Sequence, residues 1–426
     1  MSANGYPESF YANTAIGVVD HAVLDDTLRA DVCVIGGGFT GLAAALNLAE
    51  AGKSVVLLEA ERIAYGASGR CGGLIGSGQR KDVLETEELF GYERSRALWD
   101  LAEAAKNEIR RRVETHAIDC DLADGQLVGI HKQAYVGWAD ELAEALADRY
   151  DYPGCRSLSA EESRERVATD DFLEAFWDPR ALTIHPLNFA LGLARAARDA
   201  GVQIFENSRV LGYSTSEPAE VTTAGGRVVA DQIVLACNGY LGRLEKRVAG
   251  KIMPINNFMI ATEPLGEARA LELIDGFYGI HDTRFVVNYF RLSRDYRLLF
   301  GGGENYRAGF PDDIGGFVRH YMLKLFPQLE DVAIDYAWGG TLSVTVNRLP
   351  HVGRLEPNVW FAQGFSGHGI STASFSGKLL AEAITGDRSR FEIMEALPTM
   401  TFPGGTLLRY PGMVLGMLYF SLKDRL

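Results

Sequence analysis

Cysteine is sparse in this chain and follows no pattern. Five occur in 426 residues, at Cys33, Cys71, Cys120, Cys155 and Cys237, and no two form a CxxC pair. That spacing argues against zinc and dithiol chemistry, so no metal site is expected. An odd count suits a reducing compartment, and a cytoplasmic location is expected. Cys33 and Cys237 fall in apolar strand patterns and read as inert core thiols. Basic residues are in the minority. Lys and Arg number 42 against 56 Asp and Glu, a net charge of −14. This disfavours a nucleic-acid backbone or an anionic membrane as partner. The longest late apolar stretch, 413–422, is broken by Gly416 and too short to span a bilayer, so it reads as a docked C-terminal helix. The first residues have neither a basic nor an apolar leader region, so no signal peptide is expected. No HExxH or Ser-His-Asp spacing points to hydrolysis, and no internal repeat is visible.

Glycine, by contrast, is abundant at 47 residues and patterned where it matters. The apolar run 31–35 reads as a buried strand and leads into Gly36, Gly38 and Gly41, then into a helix predicted over 40–51. A second strand over 54–58 ends at Glu59, 23 positions after Gly36; a dinucleotide-binding unit places its acid roughly 20 residues on. Gly36 permits the tight turn, Gly38 lets main chain approach a pyrophosphate, and Gly41 allows close packing of helix on strand. Phe39 and Thr40 open the helix whose free N–H groups would face the phosphates. Glu59 would accept from ribose hydroxyls and would repel a 2′-phosphate.

Residues 64–78 are too small to pack a core and too glycine-rich for a helix. Such a run can lie against a flat ring and a pyrophosphate. Ala67-Ser68-Gly69-Arg70, with Cys71, Gly72 and Gly73 following, resembles the second cofactor segment of the D-amino-acid oxidase, glycine oxidase and sarcosine oxidase superfamily. His185-Pro186-Leu187-Asn188, 236–242, Met253-Pro254, 297–303, 334–340 and Gly364-Phe-Ser-Gly-His-Gly369 follow in the order of its gamma-glutamylputrescine-oxidising branch. The ending 402–426 is similar to that branch as well. The resemblance implies a fold of class α/β plus α+β. A Rossmann-type FAD-binding domain would be drawn from 27–90, 186–248 and 335–390. A discontinuous antiparallel-sheet substrate domain would come from 91–185 and 249–334, and 391–426 would form a C-terminal tail. It implies non-covalent FAD as cofactor and adds Ala60, Arg62, Val210 and Gly239 to the cofactor contacts.

The intervening segments carry their own signals. Periodicity predicts a helix over 85–113, with Arg110, Arg111 and Arg112 as a solvated face near its end. Ser159-Ala-Glu-Glu162 is a capping box. A helix over 186–199 has proline in its first turn and ends before Gly201. Strands are expected at 202–206, 232–236, 335–346 and 359–363, a hairpin at 284–292 and 297–301, and helices after Asp313 and over 371–384.

Gly367, His368, Gly369, Ile370 and Ser371 join a strand to the last helix, whose N-terminus would face the flavin. Amine oxidation requires little side-chain chemistry, because the cofactor accepts the hydride and the protein supplies position. Tyr289 and Trp338 are expected to wall the substrate. Arg291 and Arg348 are candidate carboxylate clamps, with Tyr306 a further wall residue and His368 a catalytic candidate. Two departures from the superfamily bear on substrate and acceptor. Ser371 stands where sarcosine-oxidising relatives hold a carboxylate with lysine, and 298–300 lack the lysine that promotes reaction with oxygen. The expected reaction is oxidation of an amine to imine and aldehyde, with gamma-glutamylputrescine or a related polyamine derivative as substrate. Oxidation of a secondary amine or amino acid, and a non-enzymatic flavin-binding role, are the alternatives. Cys71, where close relatives carry Asn, is expected to be an innocent replacement.

Overall fold

The structure, a computed structural model, describes residues 5–303, 309–409 and 411–412. Tyr306 and the apolar segment 413–422 lie outside the described residues.

Two sheets organise the chain. The first is centred on the strand Thr27–Ile35, which pairs in parallel with Val55–Leu58 on one side and Arg227–Leu235 on the other. Gln203–Phe205 and Val359–Gln363 extend the parallel order outward, and His351–Glu356 closes one edge antiparallel. Both faces of this sheet are covered, which is why its strands are almost unbroken Val, Ile and Leu. Val32, Val34, Val55 and Leu57 pack in one core with the helices Phe39–Glu50, Pro186–Asp199 and Gly369–Thr385. Cys33, Ile35, Val56 and Leu58 point the other way, into a core shared with Ala219, Val221 and Val228.

The second sheet runs in the order Ile334–Val344, Met253–Thr262, Leu298–Gly301, Tyr289–Leu292, Gly279–Asp282, Ala123–Ile130, Glu174–Thr183, Leu74–Ile75. Its pairings are antiparallel except that between Gly279–Asp282 and Ala123–Ile130. Strand alternation sorts its side chains. Phe258, Ile260, Phe290 and Leu292 enter a core roofed by the helix Ile314–Leu325, with Phe290 and Phe300 stacked at 5.6 Å. Met259, Ala261 and Tyr289 face the first sheet instead.

Several expectations are corrected. The helix predicted over 85–113 is two helices, Val83–Phe90 and Tyr92–Thr115, separated by Gly91 at φ 78°. Arg112 is not solvated. It is 3% exposed, and it donates to Glu108, Glu50 and Asn47, each at 2.7 Å. Only Arg110 and Arg111 lie toward solvent. The hairpin strand begins at Tyr289 rather than 284, because Asp282 ties 282–288 into a loop through Arg284 and Asn288. The strand Ile334–Val344, expected with the nucleotide-binding segments, pairs with Met253–Thr262 in the second sheet. The capping box is present, with Ser159 Oγ accepting from Glu162 N and Glu162 accepting from Ser159 N.

Candidate active site

A cavity of about 1390 Å³ lies where the two sheets meet. One wall is main chain. Gly36 has φ 112°, and a Cβ there would sit 2.7 Å from Ala236 O. A Cβ on Gly41 would fall 1.8 Å from Gly36 O, so only glycine lets the helix start against the strand. Gly38 caps that helix without a side-chain bond, and Phe39 N donates to Ser68 Oγ at 3.0 Å. Gly38, Phe39, Thr40, Ser68 and Arg70 line the cavity, as do Cys71, Gly72 and Gly73. Glu59 sits behind the loop. It accepts from Gly37 N at 2.7 Å and Glu61 N at 3.0 Å, while burial raises its carboxyl above the usual range.

The second helix N-terminus at the cavity belongs to Gly369–Thr385. His368 caps it without a side-chain bond, and Gly367, His368, Gly369 and Ile370 line the cavity. His368 donates from Nε2 to Gly78 O at 3.0 Å, and burial, followed by the charge of Arg80, lowers it to about 4. It is therefore neutral at pH 7. Ser371 is buried one turn into the helix, away from the cavity wall.

Tyr289 lines the cavity with its ring against Gly72 and Gly301, where a Cβ would meet it at 2.7 and 2.1 Å. Its hydroxyl donates to Asn257 Oδ1, and burial raises the phenol, so it stays protonated. Two other expected wall residues are placed elsewhere. Trp338 is 3% exposed, absent from the cavity wall, and donates from Nε1 to Arg70 O at 3.0 Å, with Tyr11 edge-on at 5.4 Å. Arg291 is also 3% exposed. It donates to Gly72 O and Ile184 O, each at 3.0 Å, so its fork is occupied by carbonyls. Both residues brace the cradle from behind and do not face the cavity.

Five of the remaining expected cofactor contacts, Gly69, Gly239, Ala60, Val210 and Arg62, do not line the cavity. Gly69 packs against Ala64 O, and Gly239 lies beside Leu342 O. Ala60 is partly buried after Glu59. Val210 packs in the core on the far side of the first sheet, not at the cavity. Arg62 is engaged by the N-terminal segment, pairing with Asp20 at 2.5 Å and lying over the Tyr6 ring at 5.3 Å. Cys71 is partly buried, and burial pushes its thiol up to about 11.

Residues not singled out from the sequence complete the cavity. Asn256 and Asn257 interrupt an apolar strand and face inward, a polar pair that was visible in the sequence. Arg80 and Phe285 come from loops with no periodic signal, and Trp138 opens the helix Trp138–Arg149. Arg348, a candidate clamp, does line the cavity. Among the described residues no group of three His, Cys, Asp or Glu gathers as a metal site, and no helix is long and apolar enough to cross a membrane.

The site fits a flavin dinucleotide. Two helix N-termini without side-chain caps open on one cavity, main chain at Gly38, Gly72 and Gly73 lines it, and the turn behind admits only glycine at Gly36 and Gly41, where a Cβ would strike Ala236 O and Gly36 O. Comparison with known proteins agrees. The family described as FAD dependent oxidoreductase matches residues 31–383. Gamma-glutamylputrescine oxidoreductase of Escherichia coli (strain K12) is 40% identical over 422 residues, covering 99% of this chain and 99% of that protein. Probable oxidoreductase OrdL of Rhizobium meliloti (strain 1021) is 39% identical, covering 95% and 94%. In fold, L-proline dehydrogenase from P. horikoshii aligns at TM-score 0.70 and 22% identity, over 86% of this chain and 98% of that one. Glycine oxidase from Geobacillus kaustophilus aligns at TM-score 0.70 and 20% identity, over 87% and 100%. The glycine cradle, the two helix ends and the family match over 31–383 together place this chain among the FAD-dependent oxidoreductases.

Proposed function

We propose that this chain oxidises gamma-glutamylputrescine or a related long amine to the imine, which water converts to the aldehyde and ammonia. The observation that carries this reading is the similarity to gamma-glutamylputrescine oxidoreductase over 99% of both chains. The length of the cavity wall, from the glycine loop to Trp138 and Phe285, suits an extended substrate.

FAD, when bound, supplies the acceptor for the hydride leaving the carbon beside nitrogen. The chain's own residues position, desolvate and neutralise. Gly38, Ser68, Gly72 and Gly73, with the N-termini at Phe39 and Gly369, would hold the dinucleotide without a covalent bond, since a protonated Cys71 thiol is a poor nucleophile. Tyr289, fixed by Asn257, would present a neutral phenol to the reacting carbon's surroundings. His368, uncharged at pH 7, adds no positive charge to repel an incoming amine. The partly apolar cavity favours the uncharged amine that hydride transfer requires.

The test is anaerobic stopped-flow reduction with gamma-glutamylputrescine, putrescine, sarcosine, glycine and D-alanine. Gamma-glutamylputrescine should reduce the flavin fastest. A best rate with sarcosine, glycine or D-alanine overturns the assignment.

A further inference from the structure

Two arginines of the cavity wall, among the described residues, have neither a carboxylate partner nor a carbonyl to donate to. Arg80 lies in the segment between the strand Leu74–Ile75 and the helix Val83–Phe90, and Arg348 in the loop after the strand Ile334–Val344. Both line the cavity. Among the described residues, neither makes an ion pair within 4.0 Å. Of the other cavity arginines, Arg284 is held by Asp171 at 2.8 Å and Asp282 at 2.6 Å, Arg70 donates to Gly339 O at 3.1 Å, and Arg409 donates to Ala249 O at 2.8 Å and Ile252 O at 3.0 Å. Glu88 and Glu141 line the cavity at exposed positions, and two further acids of the wall are engaged. Glu85 pairs with Lys81, and Asp82 accepts from Trp138 Nε1 at 2.8 Å and Glu85 N at 2.8 Å.

The two guanidinium groups belong to the wall of one cavity, and the charge of Arg80 bears on Arg348. Burial, followed by the charge of Arg80, lowers Arg348 to about 10, and burial lowers Arg80 as well, while the charge of Glu85 offsets part of each. Arg348 is held in place nonetheless. Its guanidinium lies 4.3 Å from the centre of the Phe285 ring, and its main chain adopts φ 62° with N donating to Thr345 O at 3.2 Å. Two like charges set in a partly desolvated wall, one fixed on an aromatic face, are costly without an anion. A carboxylate meets both needs, because planar guanidinium groups bind it through paired N–H donors.

We propose that Arg80 and Arg348 form a carboxylate-binding subsite of the cavity, which selects amine substrates carrying an acid group away from the reacting nitrogen. The amine-oxidation reading supplies only the chemistry at the other end of that substrate. The subsite replaces the clamp expected at Arg291, whose donors are taken by Gly72 O and Ile184 O.

The experiment separates the two claims by using a ligand that cannot react. Gamma-glutamyl-n-butylamide keeps the carboxylate and lacks the oxidisable amine. Its methyl ester replaces the carboxylate with a neutral group. Each is titrated calorimetrically into the FAD-loaded protein. The acid should bind roughly 10- to 100-fold more tightly than the ester, the range of one or two charge-assisted hydrogen bonds. Arg348→Met and Arg80→Met should each weaken acid binding by about tenfold or more and erase most of the preference, with Arg→Lys variants falling between. FAD content and the visible spectrum report whether each variant is folded, and the acid-to-ester ratio on the unaltered protein requires no variant. Equal binding of acid and ester, no binding of either, or a preference that survives both methionine variants overturns the subsite. Failure of gamma-glutamylputrescine to reduce the flavin, with the acid-to-ester preference intact, sinks the substrate assignment and leaves the subsite standing.

Discussion

The two walls of the cavity are built on opposite principles. The cradle wall is main chain, and its shape depends on atoms that are missing. At Gly41 the nearest obstacle to a Cβ is a carbonyl 1.8 Å away. The opposite wall is side chain, and its shape depends on long residues held at their tips. Arg348 rests on Phe285 at 4.3 Å, and Tyr289 is tied to Asn257. A wall of main chain recognises a group that every family member binds. A wall of side chains can be rewritten without disturbing the strands beneath it. Cofactor and substrate recognition are therefore separable in this fold, and substitutions on the two sides should fail differently.

The largest effect is expected on the cradle wall. Gly41→Ala forces a Cβ into Gly36 O, an obstacle of main chain that cannot rotate away. It should cost more than about 4 kcal/mol and abolish FAD retention. Folded yield and bound flavin after gel filtration measure this. A yellow, stable variant would mean that the cradle tolerates substitution and that the contrast between the walls is false.

Next is the layer behind the cradle. Trp338→Ala removes a large buried side chain and the donor to Arg70 O. A loss of about 3–5 kcal/mol is expected, read as a lower urea midpoint. Trp338→Phe keeps most of the volume and removes the hydrogen bond, so about 1 kcal/mol should be lost. If Trp338→Ala leaves stability intact and only slows flavin reduction, Trp338 belongs to the substrate wall after all.

These two positions also mark what a sequence can reveal. The cradle was legible because close main-chain approach leaves glycine as the sole solution, and its spacing survives in the letters. The face of the second sheet was half legible. Alternation places Tyr289 and Arg291 on one face of their strand, and that is where they are. It cannot tell which part of that face meets the cavity. Arg291 is covered by Tyr11 and Ile184, segments 280 and 107 residues distant in the chain. Arg112 shows the same limit. Three arginines in a row look solvated, and one of them turns inward to residues of another helix, Asn47 and Glu50. The placing of Arg80 and Arg348 in one cavity wall depends on the segments that follow the two end strands of the second sheet, which no local pattern encodes.

A third prediction tests the polar backing of the cradle through pH. His185 is 2% exposed, accepts from Asn188 N at 3.1 Å through Nδ1, and lies within 2.9 Å of Thr14 Oγ1 through Nε2. Burial, followed by the charge of Arg291, lowers it from 6.5 to about 3. The unfolded chain takes up this proton below 6.5 and the folded chain does not. Its contribution to stability is therefore complete above pH 6.5 and is lost as pH falls toward 3. His185→Asn retains a helix cap and removes the titration. Between pH 6.5 and 5 the variant should lose about 2 kcal/mol less than the unaltered protein, at about 1.4 kcal/mol per pH unit for one proton. His281, His351 and His368, each lowered by burial, contribute acid sensitivity in both proteins. Parallel stability curves would show that His185 is already charged when folded.

The smallest effect is expected at Cys71, on the cradle wall itself. A thiol at the cavity invites the idea of a covalent flavin link, but the local electrostatics oppose it. Burial raises the thiol to about 11, and the donors of Gly73 and Cys71 main chain with the charge of Arg291 only partly offset that rise. At pH 7 to 8 almost no thiolate is present to form the bond. Cys71→Ala should bind FAD as before, change stability by less than about 1 kcal/mol, and release the cofactor on heating as the unaltered protein does. The measurement is flavin fluorescence on a denaturing gel and in the heat supernatant. Fluorescence that travels with the polypeptide in the unaltered protein and disappears in Cys71→Ala would show that a side chain, and not main chain alone, holds the cofactor on this wall.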